Sequence, residues 1–129
     1  GSLGSQMLTA SQLMRDKSEM AIVKHDFTMG TIVSYMSDTG LGVAVLVDKK
    51  GKLTGIITDG DLRRNINDLL TSSPIDVATL RPVTVKPTDL VSVALEKMEN
   101  HKIYAVIVIE EDQPIGLLRM HDILRSGIK

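Results

Sequence analysis

Apolar side chains recur in the same order twice along this chain, and that repeat is a stronger signal than any single element. Ala21-Ile22-Val23-Lys24 returns 62 residues later as Val83-Thr84-Val85-Lys86, and the same step carries Met36 to Met98. It also carries Leu41-Gly42-Val43-Ala44-Val45-Leu46-Val47 to Ile103-Tyr104-Ala105-Val106-Ile107-Val108-Ile109. One residue is then dropped in a turn. From there a step of 61 carries Gly55-Ile56-Ile57 to Gly116-Leu117-Leu118 and Asp61-Leu62 to Asp122-Ile123. Apolar class matches along the whole alignment and the only slip falls in a loop, which marks an internal duplication.

Within each copy the pattern predicts the order β-α-β-β-α. A short β-rich stretch (21–24, then 83–86) leads into a helical segment. The first helix is predicted from about Thr28 to Ser37, stopped by Asp38-Thr39-Gly40 with Gly40 just past its last turn. In the second copy Thr88 is the expected N-cap, and Leu90, Val93, Ala94 and Met98 follow at helical spacing. A longer β run turns at Asp48-Lys49-Lys50-Gly51, or at Glu111-Asp112-Gln113-Pro114, and returns over 53–57 or 115–118. A second helix closes each copy, with Leu62, Ile66, Leu69 and Leu70 expected on one face of the first. Ser72-Ser73-Pro74 reads as the joint between copies, which puts the first repeat at 8–71 and the second at 74–129. Gly1-Ser2-Leu3-Gly4-Ser5 reads as a cloning scar.

The strands flanking the first helix of a copy are expected to be parallel and the next pair to form a hairpin. The fold class is therefore α/β (α+β), built from two mixed layers. A unit of about 60 residues is marginal alone. Two are expected to pack sheet to sheet with pseudo-twofold symmetry, leaving clefts where a small ligand would sit.

Composition narrows the function. The 129 residues are 43% hydrophobic, enough for a sizeable core. Fifteen basic and 16 acidic residues give a formal charge of −1, so no bulk attraction to nucleic acid or to an anionic membrane is expected. One Phe, two Tyr and no Trp are too few for a base-stacking platform. The longest clean apolar run, residues 104–109, is far too short to cross a bilayer, and no signal peptide is read. The absence of Cys excludes disulfides and thiolate metal sites and fits a cytoplasmic setting. His25, His101 and His121 lack metal-ligand spacing, and no nucleophile–base arrangement stands out, so neither metal nor catalysis is expected of the chain itself.

Each copy ends in a related string: Gly55-Ile56-Ile57-Thr58-Asp59-Gly60-Asp61 in the first, Gly116-Leu117-Leu118-Arg119-Met120-His121-Asp122 in the second. Together with the duplicated β-α-β-β-α order, these strings resemble the CBS domain pair, or Bateman module. The stretches 58–64 and 120–127 are similar to the C-terminal regulatory half of bacterial arabinose-5-phosphate isomerases. Those enzymes supply the precursor of the lipopolysaccharide sugar Kdo and carry a sugar-isomerase domain ahead of the pair. The resemblance implies a regulatory module, not an enzyme in itself, with an upstream sugar-isomerase domain as partner and a homo-oligomer built on CBS dimers. It implies a nucleotide effector, AMP or ATP generically or CMP-Kdo by pathway logic, and no required cofactor. It further implies one site at Ala21, Ile22, Leu41, Gly42, Val43, Thr58 and Asp61, and a twin at Val83, Tyr104, Ala105 and Asp122.

The residues allow that chemistry but also plainer roles. A carboxylate can accept both hydroxyls of a ribose diol, and a helix N-terminus offers amides to phosphate. Gly42 leaves room for a flat base, and Lys24, Lys86, Arg63 and Arg64 are candidate phosphate partners. Yet Thr58 followed by Asp61 also has the form of a capping box, and capping and binding are compatible. Arg119 stands where the first copy has Thr58; it either meets an anion or is a solvated surface side chain. Tyr104 stands where the first copy has Gly42; it either stacks on a base or fills the cleft, leaving one working site. His121 either touches a ligand phosphate or is simply exposed. A purely structural assembly module, with no ligand, is the alternative function.

Overall fold

Both periodicities become elements close to where the pattern places them in the structure, a computed structural model that describes residues 7–127. The cloning-scar reading of residues 1–5 lies outside the described residues. In chain order the elements begin with α1 (Ala10–Leu13), β1 (Arg15–Asp16), β2 (Ala21–Lys24), α2 (Met29–Thr39), β3 (Val43–Val47), β4 (Leu53–Thr58) and α3 (Asp59–Arg64). They continue with α4 (Pro74–Val77), β5 (Thr79–Leu80), β6 (Thr84–Val85), α5 (Val91–His101), β7 (Ala105–Glu110), β8 (Gln113–Arg119) and α6 (Met120–Arg125). These belong to two compact units, one of residues 18–82 and one of 7–17 with 83–127.

In the unit 18–82 the strand order is β2-β3-β4-β5, with β2 parallel to β3 and the other pairs antiparallel. Helix α2 makes the parallel crossover. Its first turn is capped by Thr28, whose Oγ1 accepts from Thr31 N–H at 3.1 Å. Met29, Ile32 and Met36 form its buried face against Ala44, Leu46 and Ile57. Gly40 ends it at φ +68°, donating its N–H to Met36 O at 3.0 Å, the left-handed cap that glycine adopts at least strain. The hairpin β3–β4 turns on Asp48, whose carboxylate accepts from the amides of Lys50 and Lys52 at 2.8 and 2.9 Å.

The expected apolar face of the closing helix is not what forms. Helix α3 stops at Arg64: Asn65 caps it at φ −109°, its N–H shared between Asp61 O and Leu62 O, both at 3.2 Å, and Ile66 N–H donates to Arg63 O, three residues back, so the α-helical ladder is not continued. A 3-10 turn over Leu69–Thr71 follows; Leu69 is buried, while Ile66 and Leu70 are exposed. Ser72-Ser73-Pro74, read as a joint, instead opens α4 with Pro74 in its first turn, still inside this unit.

The other unit has the order β1-β8-β7-β6, again with one parallel pair, β6 with β7. Val91, Ala94 and Met98 of α5 pack with Val106, Val108 and Leu118. Thr88 is not the N-cap. It lies in a turn where Asp89 Oδ2 accepts from Lys86 N–H at 2.8 Å, and the cap position falls to Leu90. The helix's first amide, Val91 N–H, donates to Leu8 O at 2.8 Å in the N-terminal lead, which supplies the partner that a side-chain cap would have been.

The packing units are thus offset from the sequence repeats. Residues 8–17, which open the first repeat, fold with the second repeat's strands; 74–82, which open the second, fold with the first's. Each sheet gains a short fourth strand this way, β5 beside β4 and β1 beside β8. Both incoming strands pass over the glycine of the repeated string. A Cβ on Gly55 would stand 2.9 Å from Thr79 O; one on Gly116 would stand 2.1 Å from Met14 Sδ and 3.1 Å from Arg15 O. Glycine within a strand here marks close backbone approach. Gly55→Ala and Gly116→Ala are each expected to destabilise the protein by about 1–3 kcal/mol, through overpacking against β5 and β1. Thermal denaturation checks this: Tm should fall by several degrees in each variant, and an unchanged Tm would show that the edge strands have room to move.

Candidate functional site

The residues singled out in the first repeat gather at one end of its sheet. Ala21 and Ile22 begin β2, Leu41, Gly42 and Val43 lead into the parallel β3, and Thr58 ends β4, so parallel and antiparallel pairing bring all three strand ends together. The register pairs Ala21 with Ala44 and Val43 with Thr58. Ala21 and Val43 are buried in the sheet, whereas Ile22, Leu41 and Gly42 are half-buried. Gly42 has φ +76°, and a Cβ there would lie 3.0 Å from Asp59 Oδ2. A larger residue would therefore be strained as well as crowded. A groove of about 280 Å³ runs past Gly42, lined also by Val33, Met36, Ser37, Gly40, Asp59 and Leu62.

Asp61 is the buried charge of this site, 4% exposed. Both halves of the capping box form: Thr58 Oγ1 accepts from Asp61 N–H at 3.3 Å, and Asp61 Oδ2 accepts from Thr58 N–H at 2.9 Å. The Thr58 hydroxyl donates to the same Oδ2 at 3.1 Å. Asp61 Oδ1 accepts from Arg64 Nη2 and, at 3.2 Å, from the Thr79 hydroxyl on β5. Arg64 is thereby committed to Asp61 while its side chain stays 68% exposed. Arg63 and Lys24 are exposed.

The second repeat assembles its own set at the matching end. Val83 O accepts from Ile107 N–H at 3.3 Å, and Ala105 pairs with Arg119 across β7–β8. Tyr104 is 77% exposed, so its ring does not fill a cleft in this structure. His121 and Lys86 are likewise exposed. Arg119 does meet an anion, and the anion is Asp122. Arg119 Nε and Nη2 donate to Asp122 Oδ2 and Oδ1 at 3.0 and 3.1 Å, with Arg119 only 18% exposed, so the solvated-arginine reading fails.

A second arginine that sequence reasoning missed completes this arrangement. Arg15 on β1 donates from Nε to Asp122 Oδ2 at 3.2 Å and from Nη2 to Oδ1 at 3.0 Å. Two guanidinium forks close on one carboxylate. Partial burial pushes the Asp122 carboxyl up, but hydrogen bonds from Arg15 and then Arg119, with their charges, outweigh it and hold the group well below the usual carboxylate range. Nothing local could have revealed Arg15, which lies 107 residues from Asp122. The faint signal was its place in a polar stretch just ahead of the first β run.

The helix N-termini offer less to a phosphate than expected. Asp59 N–H donates to Gly42 O at 3.2 Å and Met120 N–H to Tyr104 O at 2.8 Å, so the first amides of α3 and α6 are already used. Both helices are six residues long. Among the described residues no cluster of three or more His, Cys, Asp or Glu could hold a metal ion, and no helix is long and apolar enough to cross a membrane.

With this geometry in hand, residues 10–68 and 75–129 each match the family model of the CBS domain. The chain belongs to the CBS domain family. The CBS repeats are similar to arabinose 5-phosphate isomerase KdsD of Pseudomonas aeruginosa, 43% identical over 97 residues that cover 72% of this chain and 30% of that protein. KdsD of Yersinia pestis is 35% identical over 99% of this chain and 40% of its own length. The chain therefore spans well under half of these curated relatives. Among solved structures, the CBS domain protein PAE2072 of Pyrobaculum aerophilum complexed with AMP has a TM-score of 0.79 at 25% identity, covering 89% of each chain. The CBS domain pair of MJ0100 in complex with 5′-methylthioadenosine and S-adenosyl-L-methionine has a TM-score of 0.83 at 19% identity, over 93% of this chain and 99% of that one. The mixed α/β fold expected from the repeat is the fold of these CBS pairs.

Because the folded-state carboxyl of Asp122 is depressed, its contribution to stability is fully present above an unfolded value of about 4 and is lost as pH falls through the folded value. Urea denaturation at a series of acidic pH values should show wild-type stability falling more steeply below about pH 4 than that of Asp122→Asn. Equal slopes would mean that the two arginines do not bias Asp122.

Proposed function

We propose that this CBS pair is a regulatory module that binds a nucleotide or nucleotide-sugar at its first repeat and biases an attached sugar-phosphate isomerase domain. Asp61 is the observation that carries the reading. Its carboxylate is already oriented by Thr58, while two further partners, Arg64 and Thr79, reach it with exposed residues. The two hydroxyls of a ribose would donate to Oδ1 in place of Arg64 and Thr79, so that the buried carboxylate keeps its hydrogen bonds when a ligand enters. Gly42 and the groove beside it would admit the remainder of the ligand, with Ala21, Ile22, Leu41 and Val43 as apolar walls. AMP held by the neighbour from Pyrobaculum aerophilum supports a nucleotide as the ligand class.

Similarity to KdsD proteins supports the attached activity, the interconversion of arabinose 5-phosphate and ribulose 5-phosphate in the cytoplasm. Catalysis would belong to the part of those relatives that this chain does not span. AMP, ATP and CMP-Kdo are the candidate effectors. Regulation requires the effector to bind one arrangement of the protein more tightly than another. Assembly into a homo-oligomer accompanies this reading. A ligand-free assembly role is favoured by one observation, the exposed Ile66 and Leu70 beyond α3.

A thermal-shift panel of AMP, ATP, CMP, CMP-Kdo and arabinose 5-phosphate tests the proposal. A true ligand at about 100 times its Kd adds about 2.7 kcal/mol, visible as a Tm rise of several degrees. Asp61→Asn should remove most of that rise. If no nucleotide shifts the wild type, or the variant responds equally, the Asp61 site is wrong and the assembly role is preferred.

A further inference from the structure

We propose that Arg15 is a built-in competitor for the second repeat's nucleotide position, so that docking of β1 and binding of a ribose diol at Asp122 exclude one another. The inference rests on the proposed nucleotide function and concerns how that function is restricted. A carboxylate offers about four acceptor sites, two on each oxygen. At Asp122 all four are filled by guanidinium N–H groups, two from Arg15 and two from Arg119. A diol can donate there only if a guanidinium leaves.

The two arginines are not equally free to leave. Arg119 is three residues from Asp122 at the β8–α6 junction and is 18% exposed. Arg15 arrives on the two-residue strand β1, is 34% exposed, and is held beside Asp122 by the Arg15–Leu117 and Asp16–Gly116 pairs. Displacing Arg15 therefore loosens β1. Upstream of it the lead stays anchored, since Ala10 is fully buried and Leu8, Leu13 and Met14 pack on the same core. The disturbance falls on the segment that follows Met14, where the Arg15–Leu117 and Asp16–Gly116 pairs lie. Contrast with the first repeat sharpens the assignment. There the corresponding edge strand, β5, sends the neutral hydroxyl of Thr79 to Asp61, not a charged fork. Asp61 also accepts from four donors, Thr58 N–H, the Thr58 and Thr79 hydroxyls and Arg64, but only one of them is a guanidinium N–H, so the second position is the more strongly guarded; by reciprocity any ligand that opens it must release β1 to the same extent.

Isothermal titration calorimetry with AMP on wild type, Asp61→Asn, Arg15→Gln and the double variant tests this, alongside hydrogen exchange of the peptide covering residues 14–17. Wild type should bind one AMP per chain and Asp61→Asn almost none. Arg15→Gln should tighten the second position by about tenfold, so that binding reappears in the double variant. AMP should accelerate exchange in residues 14–17 only where that second position fills. Arg15→Lys keeps the charge but loses the fork, and should give an intermediate gain; it serves the same comparison if the glutamine variant does not fold. AMP binding through Asp61 with no gain from either Arg15 variant overturns this inference and leaves the nucleotide function standing. AMP binding to none of the four proteins overturns both.

Discussion

A carboxylate drawn toward the interior must have its lone pairs filled, and in each unit that demand falls on the aspartate of the repeated string. Asp61 and Asp122 sit at the start of six-residue helices, directly after the last long strand of each repeat. Neither is satisfied by its own turn alone. Thr79 on β5 completes the first and Arg15 on β1 completes the second. The glycine six residues earlier leaves the opening through which that edge strand passes. Edge strand, glycine and aspartate therefore stand or fall together, because removing any one leaves a buried charge short of partners or a strand without room.

The same arrangement separates the two repeats chemically. In the first, a threonine cap orients the carboxylate and the outermost partner is an exposed arginine. In the second, arginine replaces threonine and a further arginine is brought in by the N-terminal lead. Charge-assisted paired hydrogen bonds are about twice as strong as neutral ones. One duplicated scaffold thus presents one carboxylate with a single guanidinium partner and one held by two. The proposal that the first repeat does the sensing rests on that difference in partners and not on any difference in fold.

Much of the fold was legible because it rests on period and composition. The step of 62 residues between copies, the apolar run entering β3 and β7, and the glycine stop at Gly40 each encode local conformation, and each is found in place. Failures had a common cause. Thr88 lost the cap of α5 because Leu8, far away in sequence, supplied the partner for that helix's first amide. Ile66 and Leu70 kept a helical spacing, yet the helix ended at Asn65, where the bonds shift to partners three residues back, before they could share a face. The repeated order of elements survived these exceptions because no single cap decides it.

Sequence alone determined the duplication, the β-α-β-β-α order, the CBS resemblance and the aspartate at the end of each repeated string. All of these depend on near neighbours along the chain, whose geometry is set by backbone periodicity and capping chemistry. Tertiary structure decided which strand completes each sheet and which partner each aspartate receives. Those outcomes depend on Arg15 meeting Asp122 and Thr79 meeting Asp61 across gaps of 107 and 18 residues. No pattern along the chain marks such pairs, because the energy that selects them comes from burial and from the matching of charge and hydrogen bonds, which exist only once the sheet has formed.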